Sequence, residues 1–228
     1  KSILIVGTGA LATLFAARLA AVGVSITMLG TWAEGLATLR KRGVKVSGND
    51  QVLTVRATDN PIECTGNQFA LVLVKSWQTE RAAHQLAICM EDGGVALSLQ
   101  NGLGNDAILI KKLGTTRVAR GVTTIGATLI APGLVSLGGD GMVSLETDKR
   151  LSPLQEMLQR AGFSINVVSD LQPLVWGKLA TSSAINPLSA LLRVNNGELL
   201  QIPSARMLMG ELARETARVA NAVGVTIQ

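Results

Sequence analysis

The sequence predicts an α/β protein, a doubly wound parallel sheet followed by an all-helical domain, and three observations carry that reading. The chain opens on an apolar strand pattern, Ser2-Ile3-Leu4-Ile5-Val6, which runs straight into Gly7-Thr8-Gly9-Ala10-Leu11-Ala12 and an amphipathic helix over residues 13–22. Short apolar runs then alternate with helical patterns up to residue 168. From about Ser169 onward every segment has helical periodicity, so the domains are placed at residues 1–168 and 169–228.

The opening unit reads as the phosphate-binding turn of a dinucleotide-binding, Rossmann-type domain, the alternative being a purely structural glycine turn, against which stand the preceding strand and the following helix. Gly7 permits the tight turn, Gly9 lets a pyrophosphate approach the backbone, and small Ala12 lets helix and strand pack closely. Free N–H groups and the positive end of the helix dipole then face the anion, with Thr8, Ala10 and Leu11 completing the cradle. Ser25–Leu29 reads as the second strand, residues 34–42 as a helix, and residues 44–46 with 52–55 as a hairpin across Ser47-Gly48-Asn49-Asp50. Residues 69–74 form a continuous apolar run, 79–90 a helix, and 95–99 another apolar run ending in Gln100-Asn101-Gly102-Leu103-Gly104-Asn105. Strands that are apolar on both faces belong to a parallel sheet covered by helices. Residues 121–146 turn to Thr, Val and Gly around Pro132-Gly133, which reads as added antiparallel strands. Residues 151–161 and Ser164–Val168 add one more helix and strand.

Composition narrows the classes of function. The 228 residues suffice for one large or two ordinary domains, and 47% hydrophobic residues suit a packed core. A formal charge of +5 suits anionic small ligands better than nucleic acid. The one tight basic run is Arg40-Lys41-Arg42, and there is no Tyr and little Phe to stack bases. Cys64 and Cys89 lie far apart without metal-ligand spacing, which predicts no metal, no disulfide framework and a reducing cytoplasmic location. The apolar start lacks the charged lead-in of a secretion signal, and no stretch is long and apolar enough to predict a membrane span.

In open parallel sheets ligands bind beyond the carboxyl ends of the strands, so the residues just after each apolar run matter most. After the second strand stands Gly30-Thr31-Trp32. An acidic residue there would hold an unmodified ribose and repel a 2′-phosphate, so its absence leans the cofactor toward NADP. Arg40, Lys41 and Arg42 either approach that phosphate or form a solvated helix end. Lys75 either holds a phosphate or carboxylate as a point charge or closes its strand as a surface lysine. Asn101 either hydrogen-bonds the nicotinamide ribose or substrate or serves an Asn-Gly turn. The sharpest pattern is Lys178, Ser182 and Asn186, a polar stripe at four-residue spacing on an otherwise apolar helix. Burial lowers a lysine pKa and makes its ammonium a usable proton donor; the alternative is a lysine that snorkels to solvent. Pro187 cannot donate to the carbonyl of Ser183 and loosens the helix beside the stripe. His84 reads as a surface histidine, and Glu211, Arg214, Glu215 and Arg218 as a solvated helix face.

These residues resemble the ketopantoate reductase family, 2-dehydropantoate 2-reductases. The resemblance runs through Gly7-Thr8-Gly9-Ala10-Leu11-Ala12, Val74-Lys75-Ser76-Trp77-Gln78, Gln100-Asn101-Gly102-Leu103-Gly104-Asn105, Gly126 with Pro132-Gly133, Lys178-Leu179 and Asn186-Pro187. It implies NADPH-dependent reduction of a 2-keto acid, ketopantoate, to a 2-hydroxy acid on the route to pantothenate. By the resemblance Lys178 is the general acid, Lys75 and Asn101 serve cofactor and substrate, and Asn186 binds substrate polar groups, with Ser182 where the family often has Asn. The helical domain is assigned to substrate binding and dimerisation, with a homodimer as the expected assembly. The family continues beyond Gln228 into a helical region with a substrate-binding Ser and Glu, so the resemblance also implies an incomplete chain. A rival class is a nucleotide-binding regulator that senses the cofactor without turnover. Missing substrate residues favour that rival and Lys178 disfavours it.

Overall fold

The computed structural model describes residues 1–227 as two compact units, Lys1–Ser169 and a second that starts at Asp170. In the first unit β1 (Ser2–Val6) leads through α1 (Ala10–Ala21) to β2 (Ser25–Leu29) and α2 (Ala33–Arg42). Then come β3 (Lys45–Val46), β4 (Arg56–Thr58), β5 (Asn67–Val72), α3 (Thr79–Cys89), β6 (Met90–Ser98), α4 (Asn105–Leu113) and β7 (Val118–Thr123). β8 (Gly126–Ala131), β9 (Leu134–Gly139), β10 (Met142–Glu146), α5 (Ser152–Arg160) and β11 (Ser164–Val168) complete it. Eight strands form one sheet in the order β11-β10-β7-β6-β5-β1-β2-β4. All its pairings are parallel except that of β10 with β7.

Strand periodicity divides the core into two layers. Ile3 and Ile5 of β1 point to one face with Leu71 and Leu97, where α1, α2 and α5 supply Leu14, Phe15, Leu36, Leu39, Leu154 and Leu158. Leu4 and Val6 point to the other with Ala70, Val72 and Ala96, beneath Ala82, Ala83 and Leu86 of α3 and Leu109 of α4. β1, β5 and β6 are therefore apolar on both faces, which is why their sequences read as runs rather than alternations. On the first face Phe15 stacks on Phe163 with ring centroids 4.3 Å apart, and the Arg18 guanidinium lies 5.0 Å from the Phe163 centroid.

Two local expectations are corrected. Residues 44–46 and 52–55 do not form a hairpin; Val44 and Leu53 make one antiparallel bridge and the segments then part. Lys45 and Val46 join β9 in parallel, while Arg56–Thr58 joins the free edge of β2. The chain on either side of that bridge is thus taken up by two different sheet edges, β9 and β2. The second correction concerns residues 121–146. β7 starts earlier, at Val118, and extends the parallel sheet beside β6, so antiparallel pairing is confined to β8 with β9 and β10 with β7. β3, β9 and β8 form a separate three-stranded sheet.

The second unit contains α6 (Gln172–Leu192), a 3-10 stretch Asn196–Gln201, and α7 (Pro203–Ala222). Leu188, Leu199 and Ala205 form its small buried cluster, with Ile185, Ile202, Met209 and Leu212 against it. Among the described residues no helix is long and apolar enough to cross a membrane.

One ion pair closes the first unit beside β7. Arg150 donates from Nε to both carboxylate oxygens of Asp148 at 3.0 Å, and also reaches the carbonyls of Thr116 and Val118. The hydrogen bond from Arg150 holds the Asp148 carboxyl below its ordinary pKa of 3.8. The folded state therefore holds this proton less tightly than the unfolded chain, and the pair's stabilisation is present above that ordinary value and fades as pH falls through the folded one. Asp148→Asn should cost about 1 kcal/mol at pH 7 once solvent screening is discounted, roughly 2–4 °C in Tm. Thermal melts across pH should show the gap to wild type closing in acid; a constant gap would mean the carboxylate charge is not what Arg150 reads.

Candidate functional site

The sheet order places a switch point at β1, whose helix α1 leads to β2 on one side while β5 pairs on the other. Connections leave in opposite directions there, which opens a crevice at the carboxyl ends of the strands. That crevice, about 430 Å³, is lined by Gly7–Leu11 after β1, Leu73–Ser76 after β5, Leu99–Asn101 after β6, and Ile125–Ala127 at the start of β8. Its volume lies in the range of small-ligand sites.

The turn is fixed to the sheet. Gly7 donates to the Leu29 carbonyl at 2.8 Å, and Leu73 donates to the Val6 carbonyl at 2.9 Å. Gly7 has φ +132, and a Cβ there would stand 3.1 Å from both the carbonyl carbon and oxygen of Leu73. Only glycine fits that junction. Gly9 is different: its backbone is extended, with φ −82 and ψ −170, and a Cβ would meet nothing within 4 Å. The open volume at Gly9 faces the crevice, so glycine there serves the space rather than the fold.

Electrostatics match an anion. Gly9 caps α1 with no side-chain bond, the helix's first turn holds no acidic residue, and the first helical bond is Thr13 N–H to the Gly9 carbonyl. The N–H groups of Ala10, Leu11 and Ala12 thus precede the helical ladder and carry the positive end of its dipole. Lys75 is exposed on the crevice wall and adds a full positive charge. Ala12 is fully buried and lies in the core rather than among the lining residues. The Gly9 cradle and these donors fit the pyrophosphate of a dinucleotide.

Neutral hydrogen bonds link the two turns that carry Lys75 and Asn101. Gln100 Nε2 donates to the Val74 carbonyl at 3.1 Å and to Thr79 Oγ1 at 2.8 Å, and Asn105 Nδ2 donates to the Asn101 carbonyl at 3.0 Å. Asn101 itself is exposed in the crevice. Gln100, Thr79, Asn105 and the Ile125–Ala127 wall were not among the expected site residues. Gln100 and Asn105 stood in the run quoted for the family resemblance, but only as part of a turn.

Other candidates resolve simply. Arg40 Nε donates to the Ala57 carbonyl at 2.7 Å and its guanidinium pairs with Asp59 at 3.3 Å, a tie between α2 and β4. His84 is exposed, and Arg214 pairs with Glu211 on α7. Cys64 and Cys89 are buried free thiols pushed up to about 11 and about 12 by desolvation, so neither is a thiolate near neutrality.

In the second unit, Trp176, Ala180, Ala184 and Leu188 form a buried stripe on α6. Lys178, Ser182 and Asn186 lie two residues out of phase with it, about 200° around the helix, and grade from half-buried Lys178 and Ser182 to exposed Asn186. Burial pulls the Lys178 ammonium below its ordinary pKa of 10.5. Pro187 lies inside the same helix, as expected.

A sequence profile described as ketopantoate reductase PanE/ApbA matches residues 3–149, and one described as ketopantoate reductase PanE/ApbA C terminal matches residues 170–228. The chain belongs to the ketopantoate reductase family. Among curated relatives of this ketopantoate reductase family member, the 2-dehydropantoate 2-reductase of Archaeoglobus fulgidus is 37% identical over 93% of the chain and 70% of that protein. The crystal structure of a PanE/ApbA family ketopantoate reductase from Ralstonia eutropha JMP134 superposes with a TM-score of 0.91 at 25% identity, covering 100% of this chain and 76% of that one. D-mandelate dehydrogenase in its ternary structure with NADH and anilino(oxo)acetate shares the fold, with a TM-score of 0.91 at 22% identity over 99% of this chain and 75% of that one.

Proposed function

We propose that this chain reduces 2-dehydropantoate to pantoate with NADPH, a step on the route to pantothenate. The observation that carries the reading is the crevice itself, where the open cradle at Gly9, the first-turn donors of α1, Lys75 and Asn101 line one space. Residues 1–168 are assigned to the dinucleotide and residues 169–228 to the substrate. When bound, the nicotinamide supplies hydride to the keto carbon.

The chain's own residues divide the remaining work. Backbone N–H groups of the Gly7–Ala12 turn hold the pyrophosphate, and Lys75 neutralises a phosphate as a compact point charge. Asn101 hydrogen-bonds the nicotinamide ribose or the substrate. Lys178 gives a proton from Nζ to the carbonyl oxygen as negative charge develops there, while Ser182 and Asn186 hold substrate polar groups. Because burial lowers its pKa, Lys178 yields that proton more readily than an exposed lysine.

The NADP preference rests on Gly30-Thr31-Trp32, which offers no carboxylate after β2. A Cβ on Gly30 would stand 2.7 Å from Thr8 Cγ2, so the place where an acid would begin is held against the phosphate turn. Titrations followed by nicotinamide fluorescence should give a lower Kd for NADPH than for NADH. Equal affinities would remove the preference and leave the dinucleotide reading standing. Turnover assays with ketopantoate complete the test, because binding without turnover is the behaviour of a cofactor sensor.

A further inference from the structure

We propose that the Thr79 hydroxyl is a positioning residue that locks the two ligand-bearing turns of the crevice together, a role that rests on the dinucleotide reading above. Thr79 is fully buried at the start of α3. Its Oγ1 lies 2.8 Å from Gln100 Nε2, 2.7 Å from the Ser76 carbonyl and 2.9 Å from Asn105 Oδ1. A hydroxyl has one proton and two acceptor sites, so Oγ1 accepts from Gln100 and donates to Ser76 or Asn105.

The groups tied down on each side of this atom are telling. Gln100 Nε2 also holds the carbonyl of Val74, and Thr79 contacts that of Ser76, so the residues on both sides of Lys75 are fixed. The Asn101 carbonyl accepts from Asn105 Nδ2 at 3.0 Å and from Ser76 Oγ at 3.1 Å. Ser98 Oγ donates to Gln100 Oε1 at 3.0 Å and thereby orients the Gln100 amide toward Thr79. The Lys75 and Asn101 side chains are thus free to meet a ligand from backbones that cannot drift apart. No charge takes part, which keeps the lock insensitive to pH and salt. A buried network of this kind weakens as a unit when one member is removed.

The decisive variant is Thr79→Val, which keeps the shape and removes the hydroxyl. Two readouts are needed. In the ligand-free protein, hydrogen exchange followed by mass spectrometry should accelerate about tenfold or more in residues 73–77 and 100–105, with β1 and β6 unchanged. The Kd for NADPH should rise about tenfold, the scale of one net hydrogen bond, and Thr79→Ser should restore it to within about twofold. In a Lys75→Ala/Asn101→Ala background, Thr79→Val should change the Kd by less than about twofold, because the residues it positions are gone. Unchanged exchange, or the same tenfold loss in that background, would overturn the proposal. Should Thr79→Val not fold, Asn105→Asp makes a cut one bond further along, since a carboxylate cannot donate to the Asn101 carbonyl, and the same outcomes apply. Loosened turns in a protein whose wild type binds no NADPH would uphold the lock and sink the dinucleotide reading instead.

Discussion

Lys178→Met in the enzyme should leave NADPH affinity unchanged and lower ketopantoate turnover by about a hundred-fold to ten-thousand-fold, the usual contribution of a positioned general acid. Methionine keeps the length and apolar stem of the side chain and removes only the ammonium. A thermal melt checks that the variant folds. Since burial depresses the folded pKa below 10.5, the unfolded chain holds this proton more tightly, and the charged lysine costs stability at neutral pH, a cost that fades as pH climbs toward the unfolded value. The same depression sets the pH profile. A proton donor works below its pKa, so wild-type turnover should fall on the alkaline side at a pH below the ordinary lysine value, and the variant should lose that limb. Steady-state kinetics with a thermal melt separate the two effects; near-normal turnover in a folded variant would leave Lys178 a structural lysine.

Gly9→Leu should weaken both NADPH and NADH on the order of a hundredfold or more, about 3 kcal/mol by conversion, while the protein melts within a few degrees of the wild-type temperature. The asymmetry follows from the backbone at this position. Its φ and ψ are open to any residue, and a Cβ meets nothing within 4 Å. Replacing glycine in such a conformation restricts the unfolded chain, which offsets the loss of a favoured helix-cap residue. The leucine would instead occupy the volume beside the first turn of α1 that a pyrophosphate needs. Gly7 supplies the contrast, since its positive φ and the 3.1 Å approach to Leu73 make any side chain there a fault in the sheet. Fluorescence titration and calorimetry on Gly9→Leu check the pair of expectations. Retained affinity would show that the ligand does not approach Gly9.

The most legible parts of the sequence were those whose chemistry is local. The turn from Gly7 to Ala12 announces itself because strand, glycines and helix are contiguous, and the stripe at Lys178, Ser182 and Asn186 because helical spacing brings neighbours in sequence onto one face. The domain assignment likewise rests on a change from alternating to purely helical pattern. What stayed hidden depends on partners distant in sequence. Residues 44–58 contain turn and strand signals, yet nothing local says that Lys45 will pair with Leu134 or Arg56 with Thr27. The Ile125–Ala127 wall carries no charged side chain, and it lines the crevice from where β8 begins a second sheet with β9. Thr79, Gln100 and Asn105 look like ordinary helix-start and turn residues until the strand ends bring them within hydrogen-bonding distance.

The pairing of β1 also constrains the order in which the crevice can be built. On one side Ser2 meets Ser25, a short local closure through α1; on the other Leu4 meets Ala70, 66 residues along the chain. During synthesis β1, α1 and β2 are available early, but the opposite edge of β1 stays bare until β5 has been made. The phosphate turn therefore acquires its second wall, Leu73 against Gly7, only when β5 docks. A nascent chain stalled before that point would expose an unpaired apolar edge, Ile3 to Val6, and would hold no dinucleotide. Ligand competence and burial of this apolar strand arrive in the same folding event.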